Sequence, residues 1–564
     1  MRLSTDEDRD EERALETIAA AADAGITVFD TAHSYGLGEG ERGHNEMLLA
    51  RALRLAGTEK TARIVTKGGM ARPGGGWIPD GRAKAIRSDC EASVAALDGL
   101  AIDLYLIHAP DPRTPWRTSV RALARLVDEG LVRRVGVANV NRRQLDEALE
   151  LAPIAAVQVA VNPFDDRAIR GGVVERCAEV GISVIAHSPL GGPRRVGRLA
   201  RHEALVRVAE ARGATPAEVA LAWLLGLSPV VVAIPGARRR ETARSAAGAA
   251  SVHLDVGEQE ALTRAFGGPR PRRRRPRPST DADVVLVMGI PGAGKSSVAE
   301  EYVARGYVRL NRDERGGSLR DLADALDEEL ASGNRRFVLD NTYLTRATRS
   351  YVVEAARRHG APVRCIWLDT PLAQAQVNLV ERLLERFGSL PTPDELREAA
   401  RREPGVHAPT SQMRTLRELE PPSADEGFAE VEQLPFTRSP PSRRGRPGII
   451  VAAATLRDPA WEYPLEQDAR DAPHLVYDWR PDGTADALAD IAARLSAEVS
   501  GPVETAVCPH PAGPPTCWCR PPLPGLPLAF ARAHDVDLSH TTLVGTSPAH
   551  RTLATTLGAR YLSL

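Results

Sequence analysis

Residues 284–303 read VVLVMGIPGAGKSSVAEEYV: an apolar run, a glycine-rich turn closing on Lys-Ser, then a helical pattern. The turn satisfies G-x-x-x-x-G-K-[ST]. With a strand before it and a helix after it, the motif fixes a strand–loop–helix unit of the P-loop NTPase type. Gly289, Gly292 and Gly294 let backbone amides wrap a phosphate chain, and Lys295 neutralises the β and γ oxygens. Ser296, with Ser297 beside it, supplies the hydroxyl for Mg²⁺. ATP with Mg²⁺ is therefore the expected ligand of this block.

The loop leaves the phosphate acceptor open. Past the helix come a short strand, YVRL, and the polar segment NRDERGG. Asp313, at a strand end facing the loop, can take the proton of an acceptor hydroxyl. Arg312 and Arg315 flank it and can hold a phosphate on that acceptor, although a solvated salt-bridge cluster would look the same. The segments GYVRLNRDE, FVLDNTYLTRATRSYVVEAARRHGAPVRCIWLDTPLAQAQVN and EGFAEVEQLPF resemble the kinase module of polynucleotide 5′-kinase/3′-phosphatases. That resemblance implies Asp313 as general base toward a 5′-hydroxyl, with Asp340 and Asn341 near metal and acceptor. It also implies Arg349 as an acceptor-site residue and Arg382 or Arg386 as the lid arginine spanning the transferring phosphate.

Two Pro- and Arg-rich stretches, 266–283 and 439–447, read as solvated linkers and divide the chain into blocks 1–265, 284–438 and 448–564. The first block alternates short apolar strands (ITVFD, ARIVTK, IDLYLIH, RRVGVAN, AAVQVAV, ISVIAHSPL, PVVVAIPG) with amphipathic segments such as RTSVRALARLVDEG and NRRQLDEALELA. Repeated βα units of this kind predict a (β/α)8 TIM-type barrel. Such a barrel needs eight strands. Seven are legible, and the first is the one missing.

Polar residues stand at the strand ends, where barrel enzymes keep their chemistry. FDTAHSYG carries Asp30 and Tyr35, VTKGG carries Lys67, and LIHAPDP carries His108. This block resembles the aldo-keto reductase family, whose four catalytic positions fall on these residues. The family chemistry implies hydride transfer to a carbonyl with Tyr35 as proton donor. Lys67, paired with Asp30, would favour the tyrosinate, and His108 would orient the carbonyl oxygen. The resemblance further implies that Asn139 and Gln158 hold a nicotinamide carboxamide and that His187 stacks on the ring. Ser188, Leu190 and Gly191 would meet the pyrophosphate, and Arg238 and Arg239 would pair with a 2′-phosphate, favouring NADP(H) over NAD. Only four of the 73 basic residues are lysine, and two of them, Lys67 and Lys295, sit in these motifs. A compact, titratable ammonium cannot be replaced there by a guanidinium.

The third block contains CPHPAGPPTCWCRPPLPG, a C-x-H-x6-C-x-C pattern. Three thiols and an imidazole at this spacing, Cys508, His510, Cys517 and Cys519, suit a closed tetrahedral and therefore structural Zn²⁺ site. The loop resembles that of histidinol-phosphate and heptose-bisphosphate phosphatases of the haloacid dehalogenase superfamily. In this sequence the strand GIIV runs into AAATL with no carboxylate, Pro521 stands where a lysine is expected, and Thr546 where a metal-binding Asp is expected. The block reads as a degenerate, inactive α/β domain kept as a folded platform.

The sequence as a whole predicts a polynucleotide 5′-hydroxyl kinase fused to an NADP-dependent reductase, acting on nucleic-acid ends and on small or nucleic-acid-borne carbonyls. The alternatives are a small-metabolite kinase with a carbonyl reductase, or a cofactor-sensing protein that regulates end healing. With 43% hydrophobic residues, 26% charged residues, a net charge of −1 and no apolar run long enough for a bilayer, a cytoplasmic protein without a membrane partner is expected.

Overall fold

The computed structural model describes residues 2–266, 281–403, 405–435, 445–457 and 467–563. Most of both expected linkers therefore lies outside the described residues. The chain forms two compact units, Met1–Arg274 and Arg275–Leu564. No described helix is long and apolar enough to cross a membrane.

The first unit is a nearly closed parallel barrel. Its strands are β1 (Val28–Asp30), β2 (Arg63–Gly68), β3 (Ile102–Ile107), β4 (Val135–Ala138), β5 (Ile154–Ala160), β6 (Ser183–His187) and β7 (Val231–Ile234). They lie side by side in chain order, all parallel, so β1 and β7 stand at the two ends of the sheet. The seven strands are those read from the sequence, and among the described residues there is no eighth. The outer helices continue across the sheet ends. α1 (Glu11–Asp23), which precedes β1, packs against α2 (Arg240–Gly248), which follows β7.

Inside the barrel a small core of Val65, Leu104, Leu106, Ala156 and Ile185 fills the space between strands. Packing there is tight enough to demand glycine at 136. A Cβ at that position would lie 2.3 Å from the Ala156 carbonyl oxygen and 2.6 Å from the Leu106 side chain. The larger core lies between sheet and helices. The segment NRRQLDEALELA forms a helix over Arg142–Leu151 because Asn141 and Gln144 make a reciprocal capping box at its start.

The second unit holds two parallel five-stranded sheets. The first contains β8 (Asp283–Met288), β9 (Val308–Arg309), β10 (Arg336–Asp340), β11 (Val363–Asp369) and β12 (Glu430–Pro435), in the order β9-β10-β8-β11-β12. The strand before the glycine-rich turn is thus central, buried on both faces by its valines and leucine. The second contains β13 (Ile449–Ala452), β14 (His474–Trp479), β15 (Val503–Cys508), β16 (Thr542–Gly545) and β17 (Arg560–Ser563), in the order β15-β14-β13-β16-β17.

One hydrophobic core joins helices that accompany the first sheet to the second sheet. After the P-loop helix α3 (Lys295–Val303) come α4 (Leu372–Phe387), α5 (Pro393–Arg402) and α6 (Pro409–Glu418); in the C-terminal part lie α7 (Gly525–Ala533) and α8 (Pro548–Leu557). Val377, Val380 and Leu384 of α4 are buried together with Leu528 and Phe530 of α7, and with Leu553 of α8. Gln374 also donates to the Thr556 carbonyl at 2.9 Å.

Candidate functional site

In the first unit the segment after β1 is held by backbone and buried side-chain bonds. Thr31 and His33 amides donate to the carbonyls of Val65 and Lys67 on β2. Thr31 also donates its hydroxyl to Asn45, and Thr66 donates to the fully buried Glu46. This frame places the four expected residues together. The Lys67 ammonium, fully buried, donates to Asp30 Oδ2 at 2.7 Å and to the Thr31 carbonyl at 2.6 Å. It lies 5.1 Å from the centre of the Tyr35 ring. The Tyr35 and His108 rings meet edge to face at 5.7 Å.

The electrostatics follow from burial in this cluster. Burial raises the Tyr35 hydroxyl above its ordinary value near 10, and the Lys67 charge opposes that rise. Burial alone would lower Lys67, but Asp30 and the Tyr35 oxygen outweigh it and hold the ammonium charged. His108 is driven well below the usual imidazole range by burial and then by Lys67, so its ring is neutral.

A hydrogen-bonded chain leads away from these residues. Gln158 donates to Asp30 Oδ1 at 2.7 Å. Asn139 donates to the His108 carbonyl at 2.9 Å, and its side-chain oxygen is 3.0 Å from His187 Nε2. Asn139 and Ser188 both sit at left-handed backbone angles, φ 56° and 50°. Such strained positions cluster where a ligand is held. Two neighbours were not foreseen. Trp77 closes an aromatic triad with Tyr35 and His108 at 6.0 and 5.9 Å, and the Arg72 guanidinium stacks 3.8 Å over Trp77. The only signal in the sequence was an aromatic residue in the glycine-rich segment after β2.

In the second unit the glycine-rich turn leads from β8 into α3, with Gly294 as its left-handed N-cap at φ 96°. Three side chains hold the carbonyls of the turn: Gln412 on Pro291, Asn378 on Gly292 and Thr370 on Ala293. Lys295 donates to the carbonyls of Gly289 and Ile290, both at 3.0 Å. The turn opens on a cavity of about 470 Å³ that also reaches Ser296, Arg312, Asp313, Asn341 and Arg382.

Of the three carboxylates lining that cavity, two are already paired. Asp340 receives the Arg309 guanidinium on both oxygens, and Glu403 pairs with Arg386. Asp313 is the remaining one, without a cationic partner among the described residues. It is fixed at the start of a single helical turn by the Asn311 side chain, which accepts from the Asp313 amide and donates to the Asp340 carbonyl at 2.7 Å. Burial pushes Lys295 down to about 8, with the Arg382 charge adding to the effect and Asp340 and Asp313 resisting it.

A protein-family model described as the aldo/keto reductase family matches residues 1–265, and one described as an AAA domain matches 284–403. "Aldo-keto reductase str7" of Strobilurus tenacellus is 29% identical over 284 residues, 45% of this chain and 81% of that protein. "Probable aldo-keto reductase 1" of Glycine max is 33% identical over 274 residues, 43% of this chain and 76% of that protein. The chain belongs to the aldo-keto reductase family. Among solved structures, an aldo/keto reductase from Klebsiella pneumoniae in complex with NADP and acetate is 28% identical, covering 47% of this chain and 88% of that one, with a TM-score of 0.40.

Within the aldo-keto reductase unit Arg238, expected at a 2′-phosphate, lies 3.1 Å from Asp6 and 2.9 Å from Asp8. Arg239 is exposed and has no acidic partner among the described residues. Ser188, Leu190 and Gly191 form the turn after β6, and a Cβ at Gly191 (φ 82°) would strike the Phe164 ring at 2.5 Å.

In the second unit Arg349, expected at the acceptor, is fully buried. It gives all its donors to Glu426 and to the carbonyls of Tyr343, Leu344 and Glu420, so it ties β10's loop to the segment before β12. Of the two lid candidates, Arg382 lines the cavity and Arg386 does not. Arg315 and Ser297 are exposed and also lie outside the lining.

Cys508, His510, Cys517 and Cys519 converge, with one ligand atom from each lying within 4.8 Å of all the others. The Sγ atoms of Cys508 and Cys517 are 3.7 Å apart. His510 Nδ1 is 3.5 Å from Cys508 Sγ and 3.3 Å from Cys519 Sγ. A tetrahedron with Zn–S bonds of about 2.3 Å and Zn–N bonds of about 2.0 Å has edges of roughly 3.5–3.8 Å, so the donor set fits this metal. Trp479 donates to the His510 carbonyl at 2.8 Å and fixes the approach of that ligand.

Proposed function

We propose that the chain is an NADP-dependent carbonyl reductase joined to an ATP-dependent kinase that phosphorylates the 5′-hydroxyl of a polynucleotide, in the repair of nucleic-acid ends. Bound NADPH supplies the hydride for the carbonyl carbon. Asn139, Gln158 and His187 would hold the nicotinamide, and Arg239 is the residue left to meet a 2′-phosphate. Tyr35 delivers its proton to the developing alkoxide oxygen, Lys67 stabilises the tyrosinate, and the neutral His108 donates a hydrogen bond to the same oxygen.

The observation that carries the kinase half is one cavity in which Lys295, Arg382 and an unpaired Asp313 converge. There the Asp313 carboxylate takes the proton of the acceptor hydroxyl. The acceptor oxygen bonds to the γ-phosphorus, and the bond from that phosphorus to the ADP oxygen breaks. Lys295 and Arg382 hold the charge spread over the transferring group. Ser296 would hold Mg²⁺, which would supply positive charge against the phosphates.

The C-terminal block is a zinc-stapled platform without phosphatase activity. β13 runs into Ala453, Ala454 and Thr455, where a nucleophilic Asp would stand, and Asp478 at the end of β14 is paired with Arg457 and Arg480. Removing the metal with a chelator, or replacing Cys517 by Ser, is expected to lower the unfolding midpoint of the second unit by about 5–10 °C, read by calorimetry. An unchanged midpoint with zinc absent would contradict the staple.

The function is tested by giving the full chain NADPH, ATP and an oligonucleotide that carries both an internal sugar aldehyde and a 5′-hydroxyl. Mass spectrometry should find the product both reduced and phosphorylated. Reduction of free small aldehydes in preference to the oligonucleotide aldehyde would detach the reductase from repair.

Lys295 gives the kinase half a pH signature. The ammonium is protonated below about 8, and a polyphosphate favours that form. ATP binding should therefore take up a proton above this pH and weaken about tenfold between pH 7 and pH 9. Calorimetry in buffers of different ionisation heat reads both effects, and a flat affinity would contradict them.

A further inference from the structure

The zinc-type loop and the phosphotransfer cavity are in direct contact. Trp518, between Cys517 and Cys519, is almost fully buried in the core that α4 and α5 share with the C-terminal helices. Its indole N–H donates to the His407 carbonyl at 2.9 Å. His407 stands between α5 and α6, in the segment Gly405–Val406–His407–Ala408 that forms one wall of the cavity holding Lys295 and Asp313. The same wall continues into α6, whose Gln412 holds the Pro291 carbonyl of the P-loop. From the other side, Val406 packs in the Trp518 core, and the Gly525 amide donates back to the Trp518 carbonyl at 3.2 Å.

The His407 ring faces a charged centre. Lys295, Asp313, Arg382 and Arg312 all act on it, and burial followed by the Lys295 charge lowers it to about 4, so the ring is neutral.

We infer that Trp518 is a positioning residue for phosphotransfer: the metal-held loop fixes, through the His407 carbonyl, the cavity wall from which the His407 ring contacts the acceptor. The inference rests on reading this cavity as a phosphotransfer site. It gives the C-terminal block a task that needs no catalytic carboxylate, because Cys517 and Cys519, as metal ligands, would hold the backbone on both sides of Trp518. The indole then transmits that rigidity across to the wall.

The test uses the full chain and Trp518→Phe, which keeps an aromatic ring and removes three ring atoms, including the indole N–H. One zinc per chain should remain, and ATP affinity should stay within about twofold. The amides of 405–411 should exchange with solvent about tenfold faster, and the acceptor KM should rise about fivefold, the scale of one lost hydrogen bond. Stripping zinc from the parent should release the same amides. Unchanged exchange at 405–411 in the variant overturns the inference.

If the parent transfers no phosphate to oligonucleotides, the polynucleotide reading falls. The exchange result then still decides the positioning role, because it needs no acceptor. Should Trp518→Phe fail to fold, His407→Gln serves instead. It should raise the acceptor KM about fivefold with zinc content and exchange unchanged, and an unchanged KM overturns the contact.

Discussion

Tyr35→Phe is expected to lower kcat for aldehyde reduction by about 10²–10⁴-fold while NADPH affinity stays within about twofold. The Tyr35 ring lies against the Trp77 and His108 rings and beside the Lys67 ammonium. Without its hydroxyl the alkoxide has no proton donor at the moment the hydride arrives. The ring itself stays, so the edge contacts with Trp77 and His108 and the shape of the pocket persist. Because burial and Lys67 keep His108 neutral, the parent enzyme's rate should show no break from an imidazole between pH 6 and pH 8. Stopped-flow NADPH oxidation across this range reads both effects. A variant that keeps a tenth or more of the parent's kcat would remove Tyr35 from the chemistry.

Asp313→Ala should have an effect of similar size on phosphotransfer, about 10²–10⁴-fold in kcat, with ATP binding preserved. The reason is elimination by pairing. Arg309 engages Asp340 and Arg386 engages Glu403, so neither carboxylate can accept a proton without first breaking an ion pair. Asp313 has no such partner among the described residues, and its position is fixed through backbone bonds from Asn311 rather than through its own carboxylate. Single-turnover transfer from pre-bound ATP isolates the chemical step. A variant whose single-turnover rate stays within tenfold of the parent's would move the base elsewhere.

The barrel and the gathering of Asp30, Tyr35, Lys67 and His108 were legible in the sequence because both are written locally. Each strand is a short apolar run, and Asp30, Tyr35, Lys67 and His108 each stand at a strand's carboxyl end, where a parallel barrel gathers them. The P-loop is equally local. What the sequence hid were pairings between distant segments. Arg238 meets Asp6 and Asp8 only because α2 folds against α1. Arg349 belongs to a buried network with Glu426, 77 positions away. An arginine that binds a phosphate and one that ties two loops together look the same in a sequence. The bond between Trp518 and His407 spans 111 positions and crosses what reads as a domain boundary. The linker at 439–447 suggested an independent third block, but the apolar face of α4 is covered by α7 and α8, and no local pattern announces a shared core.

The proposed activity of the cavity around Lys295 and Asp313 is the transfer of phosphate to a polynucleotide end. The most direct measurement is the transfer of γ-labelled phosphate from ATP to 5′-hydroxyl RNA and DNA, single-stranded and duplex, beside a panel of small alcohols and sugars. Label is expected on the oligonucleotide 5′ end, in preference to every small acceptor. Label appearing only on a small molecule, or on nothing despite bound ATP, would contradict that activity.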